Sequence, residues 1–253
     1  MNFLIIGDTI IDEEILLEAK GLSLETPTIK TDFVSSKTCF GGAANVAKNL
    51  IGDNHEVSFL TSLSEEKLKL FSQKYPKINV FNFFLGKDNV KSRYWIQHGD
   101  SKYKYLQINN LNDLNQKSKS FDLDFNHFDV VAFSDYRCGL ITADLVSKCV
   151  NSSCKTYASS QISSQPSNYE YYQDVDIIVC NENEASFIDR TDNICITKGD
   201  QGCFFNGVNY AACKIKKPIN TIGAGDCFFA AFLIGEDPTF ANKRAAKFLS
   251  EID

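Results

Sequence analysis

One compact α/β domain is the fold class this sequence predicts, on three observations. Short apolar runs of strand length recur along the chain, from Phe3–Ile6 through Val130–Phe133 to Ile194–Thr197, and such runs read as buried strands. Segments with apolar residues at helical spacing lie among them, such as Gly41–Leu50. Two polar, strand-like stretches, roughly 12–40 and 91–109, interrupt this alternation and are expected to pair into a small separate sheet. A chain of 253 residues suits one such domain with a small appendage, so residues 1–253 are read as one unit.

Taken in order, Phe3–Ile6 is a buried strand that stops at Gly7-Asp8, and strand ends are where open α/β sheets place their ligands. Residues 13–40 are less regular, with modest strand character at Thr28–Val34 and Cys39-Phe40. Gly41–Leu50 opens a helix with two glycines, followed by Ala43, Ala44, Val46, Ala47 and Leu50 at helical spacing. Val57–Leu60 and Val80–Leu85 are strand candidates around a helix at Glu65–Lys74. Lys91–Ile108, polar and aromatic, reads as one or two exposed strands, and 109–120, rich in Asn, Lys and Ser, as a loop. Val130–Phe133 is a buried strand, Ile141–Val150 a helix, and Asp176–Cys180 another strand. Ile194–Thr197 and Gly202–Phe205 bracket a turn, Tyr210–Ile215 adds a strand, and Gly223 opens a hydrophobic helix running to about Ile234.

Composition removes several function classes. A net charge of -6 and the absence of a long basic stripe argue against a nucleic-acid partner. No stretch approaches the length of a membrane span, and Met1–Asp8 has no basic leader, so a cytoplasmic location is expected. The nine cysteines form no C-x-x-C pair and several sit in apolar runs, which fits buried thiols in a reducing compartment better than a metal site. No P-loop and no dinucleotide fingerprint occurs, which disfavours an NAD-dependent oxidoreductase.

The strongest chemical signal is Asn220-Thr221-Ile222-Gly223-Ala224-Gly225-Asp226. Gly223 and Gly225 let backbone N–H groups approach an anion, and the helix that begins there adds its positive end. Asp226, in the first turn, suits a base that takes a proton from an attacking hydroxyl, or equally a simple helix-start residue. Gly41-Gly42-Ala43-Ala44-Asn45 permits a ligand close to a helix start, with Asn45 facing it, or is a tight turn before a packed helix. Gly7-Asp8 with Asp12 places carboxylates beyond the first strand, where they suit a polyol or a solvated loop. Asn181 and Glu184, three apart after an apolar strand, suit Mg²⁺ held through waters or a helix cap. Lys198–Gly202 reads as a hairpin-type turn.

In this order the motifs resemble the ribokinase-like, or PfkB, family of carbohydrate kinases over nearly the whole length: Gly7-Asp8 with Asp12, Gly41–Asn45, Asn181-x-x-Glu184, Thr197-Lys198-Gly199-x-x-Gly202 and Gly223–Asp226. A looser resemblance points to the heptose-7-phosphate kinase domain of ADP-heptose synthesis enzymes, through Gly21–Pro27, Gly42–Ala47, Lys91-Ser92-Arg93-Tyr94 and Ser134-Asp135-Tyr136. The resemblance implies a ribokinase-like fold: a central, mostly parallel sheet flanked by helices, with a small β lid over the sugar. It implies ATP and Mg²⁺, and a sugar or sugar phosphate as substrate. Asp226 would be the catalytic base, and Gly223, Ala224 and Gly225 the anion hole. Asp12, Gly42 and Asn45 would bind sugar hydroxyls. Asn181 and Glu184 would orient the waters on Mg²⁺, and Thr197, Gly199, Gly202 and Asn242 would lie on the nucleotide side.

Lys91, Arg93 and Arg137 are the candidates for a substrate phosphate. Cys138 stands where the heptose-kinase pattern has a lysine, with Arg137 beside it, and Ala158-Ser159-Ser160-Gln161 replaces an Asp-Pro-Lys-like segment. The chain ends soon after Asp226, where relatives carry a longer tail, so a trimmed adenine side is expected. A homodimer through the aromatic-rich stretch 91–109 is also expected. The alternative to catalysis is a sugar or nucleotide-sugar binding protein on a kinase scaffold.

Overall fold

The computed structural model of the chain describes residues 1–51, 55–112, 123–164, 166–215 and 221–251. Of the loop expected over 109–120, residues 113–120 lie outside this set, as does Asn220 at the head of the Gly-rich motif. In chain order the strands are β1 (Asn2–Gly7), β2 (Thr9–Leu22), β3 (Ile29–Gly42), β4 (Glu56–Thr61), β5 (Ile78–Asn82), β6 (Asn89–His98), β7 (Ser101–Asn110), β8 (Val130–Asp135), β9 (Lys155–Ser160), β10 (Ile177–Asn181), β11 (Ile194–Thr197), β12 (Cys203–Phe205) and β13 (Val208–Tyr210). The helices are α1 (Ala43–Leu50), α2 (Glu65–Lys74), α3 (Ala143–Val150), α4 (Glu182–Ala185), α5 (Ala224–Leu233) and α6 (Pro238–Glu251).

Nine strands form the main sheet, in the order β13-β12-β11-β10-β9-β8-β1-β4-β5. From β5 to β11 every pairing is parallel, and β12 and β13 close one edge as an antiparallel hairpin. The sheet is buried on both faces, as parallel sheets with helical crossovers are. Along β1 the side chains alternate between two apolar layers: Phe3 and Ile5 join the cluster holding α1 and α5, while Leu4 and Ile6 join the cluster under α3. Beyond its first turn helix α5 is sunk in the first layer, its residues 227–233 all buried. Each of its phenylalanines withdrawn from water contributes about 1.5–3 kcal/mol.

The chain leaves β1 in one direction, to β4 and β5, and returns on the other side as β8. The carboxyl ends of β1 and β8 therefore flank a topological switch point, the crevice where open sheets bind ligands.

Strands β3-β2-β6-β7 make a second, four-stranded sheet. It contains the stretches 12–40 and 91–109, with β2 antiparallel to β3 and parallel to β6. Only Asp8 separates β1 from β2, and β3 runs directly into α1. The irregular reading of 13–40 gives way to two 14-residue strands joined at 23–28. Their burial falls from root to tip, so no single alternation runs through them. The strand expected at Tyr210–Ile215 is shorter and earlier: β13 ends at Tyr210, and 211–215 has no regular structure.

All nine cysteines are free thiols, buried except Cys39 and Cys213. Among the described residues no helix is long and apolar enough to cross a membrane.

Candidate active site

Asp226 is the third residue of α5, whose N-terminus is set by Gly223 in the left-handed region at φ 87°. A side chain there would be strained, and a Cβ would come within 3.2 Å of Asn45 Nδ2. Both oxygens of Asp226 are held. Asn45 Nδ2 donates to Oδ2 at 2.8 Å, and the Tyr136 hydroxyl donates to Oδ1 at 2.7 Å. Part of the residue stays open to the crevice, yet protein surrounds the rest of the carboxylate. Burial is the main cause that pushes its pKa up to about 6, and the Tyr136 and Asn45 hydrogen bonds and the Lys48 charge pull against it. The carboxylate is thus poised close to neutral pH, as a general base requires.

Asn45 reaches Asp226 because α1 is built of small residues. Ala43, Ala44 and Ala47 are fully buried, which lets the helix lie close to the sheet and to α5. Gly42 precedes α1 at φ 63°, where a Cβ would stand 2.6 Å from the Asp8 carbonyl oxygen.

Asp12 lies four positions past Asp8 on β2 and is buried. One of its oxygens takes a short hydrogen bond from the Arg93 guanidinium of β6. The other oxygen lies beside Gly41, where any Cβ would stand 2.1 Å from it. Arg93 is therefore the ion-pair partner of Asp12, both buried. Arg137 is engaged within the protein too. At φ 61° its backbone turns left-handed, and its guanidinium donates to the main-chain oxygens of Ser164 at 3.3 Å and Pro166 at 2.7 Å. Of the three cations expected to meet a substrate phosphate, Lys91 alone is not so engaged; its ammonium lies 5.5 Å from the centre of the Tyr136 ring.

Asp8 is neither solvated nor turned to a ligand. It is fully buried, and its Oδ2 accepts the backbone N–H groups of Tyr136 and Cys138, both at 3.1 Å. Burial, then the nearby Asp135 charge, pushes its pKa up to about 7. Asp135 accepts the backbone N–H of Arg137 at 2.7 Å and, on its other oxygen, Ser160 Oγ, Asn168 Nδ2 and the Tyr172 hydroxyl.

A cavity of about 250 Å³ opens at the carboxyl ends of β8 to β11, lined by Tyr136, Gln161, Asn181, Glu184, Thr197 and Asp226, among others. It reaches Gly223 and Gly225, and a Cβ on Gly225 would meet nothing within 4 Å, so the backbone at the start of α5 is open to an anion. Among the described residues its lining carries carboxylates and no cationic side chain. Asn181 and Glu184 form a reciprocal capping box on α4, each accepting the other's backbone N–H at 2.9 Å. The Glu184 oxygen not used in the cap suits a hydrated cation. No cluster of three or more metal-type side chains occurs among the described residues.

Thr197 donates its hydroxyl to the Cys180 carbonyl at 3.2 Å and lines the cavity. Gly199 and Gly202 bound a 3-10 turn at φ 58° and 99°. Asn242 does not face the cavity: it is buried on α6, its amide donating to the main-chain oxygens of Tyr210 and Ala211, both at 3.2 Å. These bonds tie α6 to the end of the β12–β13 hairpin. Tyr136 was legible only as part of a resembling stretch, and its contact with Asp226 spans 90 positions that no local pattern connects.

The profile of the family described as "pfkB family carbohydrate kinase" matches residues 4–236. The chain is 26% identical over 196 residues to "Bifunctional protein HldE" of a Nitratiruptor species, covering 73% of this chain and 41% of that protein. It is 24% identical over 271 residues to the protein of the same name from Aliarcobacter butzleri, covering 93% of this chain and 57% of that protein. The chain thus spans roughly half the length of these relatives. Among solved structures it resembles a ribokinase from Thermotoga maritima, with a TM-score of 0.69 at 18% identity over 99% of this chain and 93% of that one. It also resembles phosphofructokinase-2 from Escherichia coli, with a TM-score of 0.69 at 11% identity over 99% and 94%. At these identities the two structures show a shared fold.

Proposed function

The chain belongs to the pfkB family of carbohydrate kinases, and on that premise we propose that it phosphorylates a heptose phosphate, at the anomeric hydroxyl of a heptose 7-phosphate, with ATP as donor. The observation that carries the chemistry is Asp226: a carboxylate in the first turn of α5, held on both oxygens and poised near neutral pH.

In this reading the second sheet covers the sugar, and Asp12, the Gly42 backbone and Asn45 bind its hydroxyls. The reacting hydroxyl gives its proton to Asp226 as its oxygen bonds to the terminal phosphorus of ATP, while the bond from that phosphorus to the bridging oxygen breaks and ADP leaves with the electron pair. The backbone N–H groups of Gly223, Ala224 and Gly225 receive the charge on the transferring group, which is spread over its equatorial oxygens. Bound Mg²⁺ supplies neutralisation of the phosphates, which the carboxylate-rich cavity lacks; Asn181 and Glu184 are the residues that would hold it through waters. Thr197, Gly199 and Gly202 lie on the nucleotide side.

The heptose assignment rests on the named relatives and on the stretches Lys91–Tyr94 and Ser134–Tyr136. With Arg93 and Arg137 engaged within the protein, Lys91 is the cation left for the substrate phosphate. A homodimer through the second sheet is part of the same reading, since Phe33, Tyr105, Leu106 and Ile108 stand exposed on it.

The test is a panel of sugars and their terminal phosphates incubated with ATP, Mg²⁺ and the purified chain, with ADP and phosphorylated product both measured. Heptose 7-phosphate should turn over fastest. Folded protein that transfers nothing across the panel defeats the catalytic reading. Neutral sugars reacting as well as their phosphates defeat the substrate assignment alone.

A further inference from the structure

Tyr136 lies outside the set of residues expected to do chemistry, yet its hydroxyl makes one of the two hydrogen bonds to Asp226. Several ties elsewhere in the fold serve to hold this one phenol. Its own backbone N–H and that of Cys138 are both taken by the buried carboxylate of Asp8, at the end of β1. The backbone N–H of Arg137 is taken by Asp135. The left-handed turn at Arg137 is pinned by its guanidinium on the Ser164 and Pro166 carbonyls. These explain two observations that substrate binding leaves unexplained: a fully buried Asp8, and an arginine turned away from the crevice.

We propose that Tyr136 is a positioning residue for Asp226, whose hydroxyl fixes the carboxylate plane opposite Asn45 and holds it ionised while leaving a lone pair for the substrate hydroxyl. This rests on the reading of Asp226 as the base. Each carboxylate oxygen has two acceptor sites. With Tyr136 on Oδ1 and Asn45 on Oδ2, one site remains on each, and two donors from separate elements prevent the group from rotating. Burial, with the charges of Asp226, Asp12 and Glu184, pushes the Tyr136 phenol well above its usual range, so it keeps its proton and acts toward Asp226 as a donor. The other groups that act on Asp226 are Lys48 of α1, which favours the charged form, and Asp12 of β2, which opposes it. Lys91, on β6 of the second sheet, lies over the phenol ring.

Tyr136→Phe removes the donor and leaves the ring under Lys91. Hydrogen bonds to charged groups are strong enough that losing one should raise the titration midpoint of Asp226 by about one to two pH units. The midpoint can be read without substrate, from the carboxyl ¹³C resonance of Asp226 that Asp226→Asn deletes. Fluorotyrosine in place of Tyr136 keeps the phenol and makes it a stronger donor, so it should move the midpoint downward. With the best substrate of the panel, the acidic limb of kcat/KM should move with the midpoint in each variant. Midpoints unchanged in both, whatever happens to the melting temperature, would overturn the inference. The two readings fail separately. An active Asp226→Asn enzyme removes the base itself, whereas an inactive one beside an unshifted Tyr136→Phe profile removes only the role of Tyr136.

Discussion

Replacing Asp226 by asparagine should make the protein less active and more stable, and the pH dependence of the second effect identifies its cause. Asparagine keeps the shape. Its carbonyl oxygen can accept from Asn45, and its amide can donate to the Tyr136 oxygen, so both hydrogen bonds survive with one reversed. Lost is the acceptor for the substrate proton, and turnover should fall by a factor of about 10²–10⁴. Gained is relief from burying a charge. The carboxyl rises from 3.8 to about 6 on folding, a cost of about 2–3 kcal/mol. Its contact with the crevice reduces this to about 1–2 kcal/mol, or about 2–8 °C in Tm for a domain of this size. The sign follows from linkage: between the unfolded and folded pKa values the native state binds more protons, so the wild type loses stability as pH rises through that window. The advantage of Asp226→Asn should therefore be full above about pH 7 and vanish near pH 4. Steady-state turnover and calorimetric Tm, measured on one preparation at pH 4, 6 and 8, provide the test. Retention of more than half the wild-type rate refutes the catalytic role, because asparagine keeps the local hydrogen bonds but cannot take the proton. A stability gain equal at all three pH values refutes the charge argument.

Arg93→Met should leave Asp12 buried and unpaired, at a cost of about 3–5 kcal/mol. Adding Asp12→Asn should recover much of the loss, and thermal melts in which the single variant matches wild type would show that the pair is not closed in solution. The exposed aromatic and aliphatic side chains of the second sheet should bring two copies together. Light scattering that reports a monomer throughout the micromolar range removes that dimer.

The parts of the fold that could be read from sequence are short elements whose apolar residues mark them locally. Strand β1, helix α2 and strand β11 fall where their apolar patterns put them: a buried run in β1, Phe71 among charged residues in α2, and Ile194-Cys195 at the start of β11. Strands β2 and β3 do not: each has one end in the core and the other in solvent, so no periodicity survives their length. Helix α6 carries its own start signal, Asp237 followed by Pro238, a cap and a first-turn proline; Asp237 Oδ1 accepts the N–H groups of Thr239 and Phe240. At the site, residue types were legible and side-chain directions were not. The contact of Asn45 with Asp226 joins two motifs that were both recognised. Arg93, Arg137 and Asn242 had suitable chemistry, but what each one bonds to depends on strands and loops brought in from far along the chain.

The direct passage of β1 into β2, and of β3 into α1, gives the molecule a cantilever. Fourteen residues at about 3.3 Å each make an arm about 45 Å long, anchored in the core by Asp8 at one root and Gly42 at the other. A swing of about 10° about that pivot carries the tip through about 8 Å, but moves Asp12, four residues out, by only about 2 Å. Any displacement of the outer end is thus scaled down severalfold at the carboxylate nearest the pivot. Insertions or tags near residues 23–28 should thus be felt in how fast ligands come and go, and substitutions near the pivot in how well they are held.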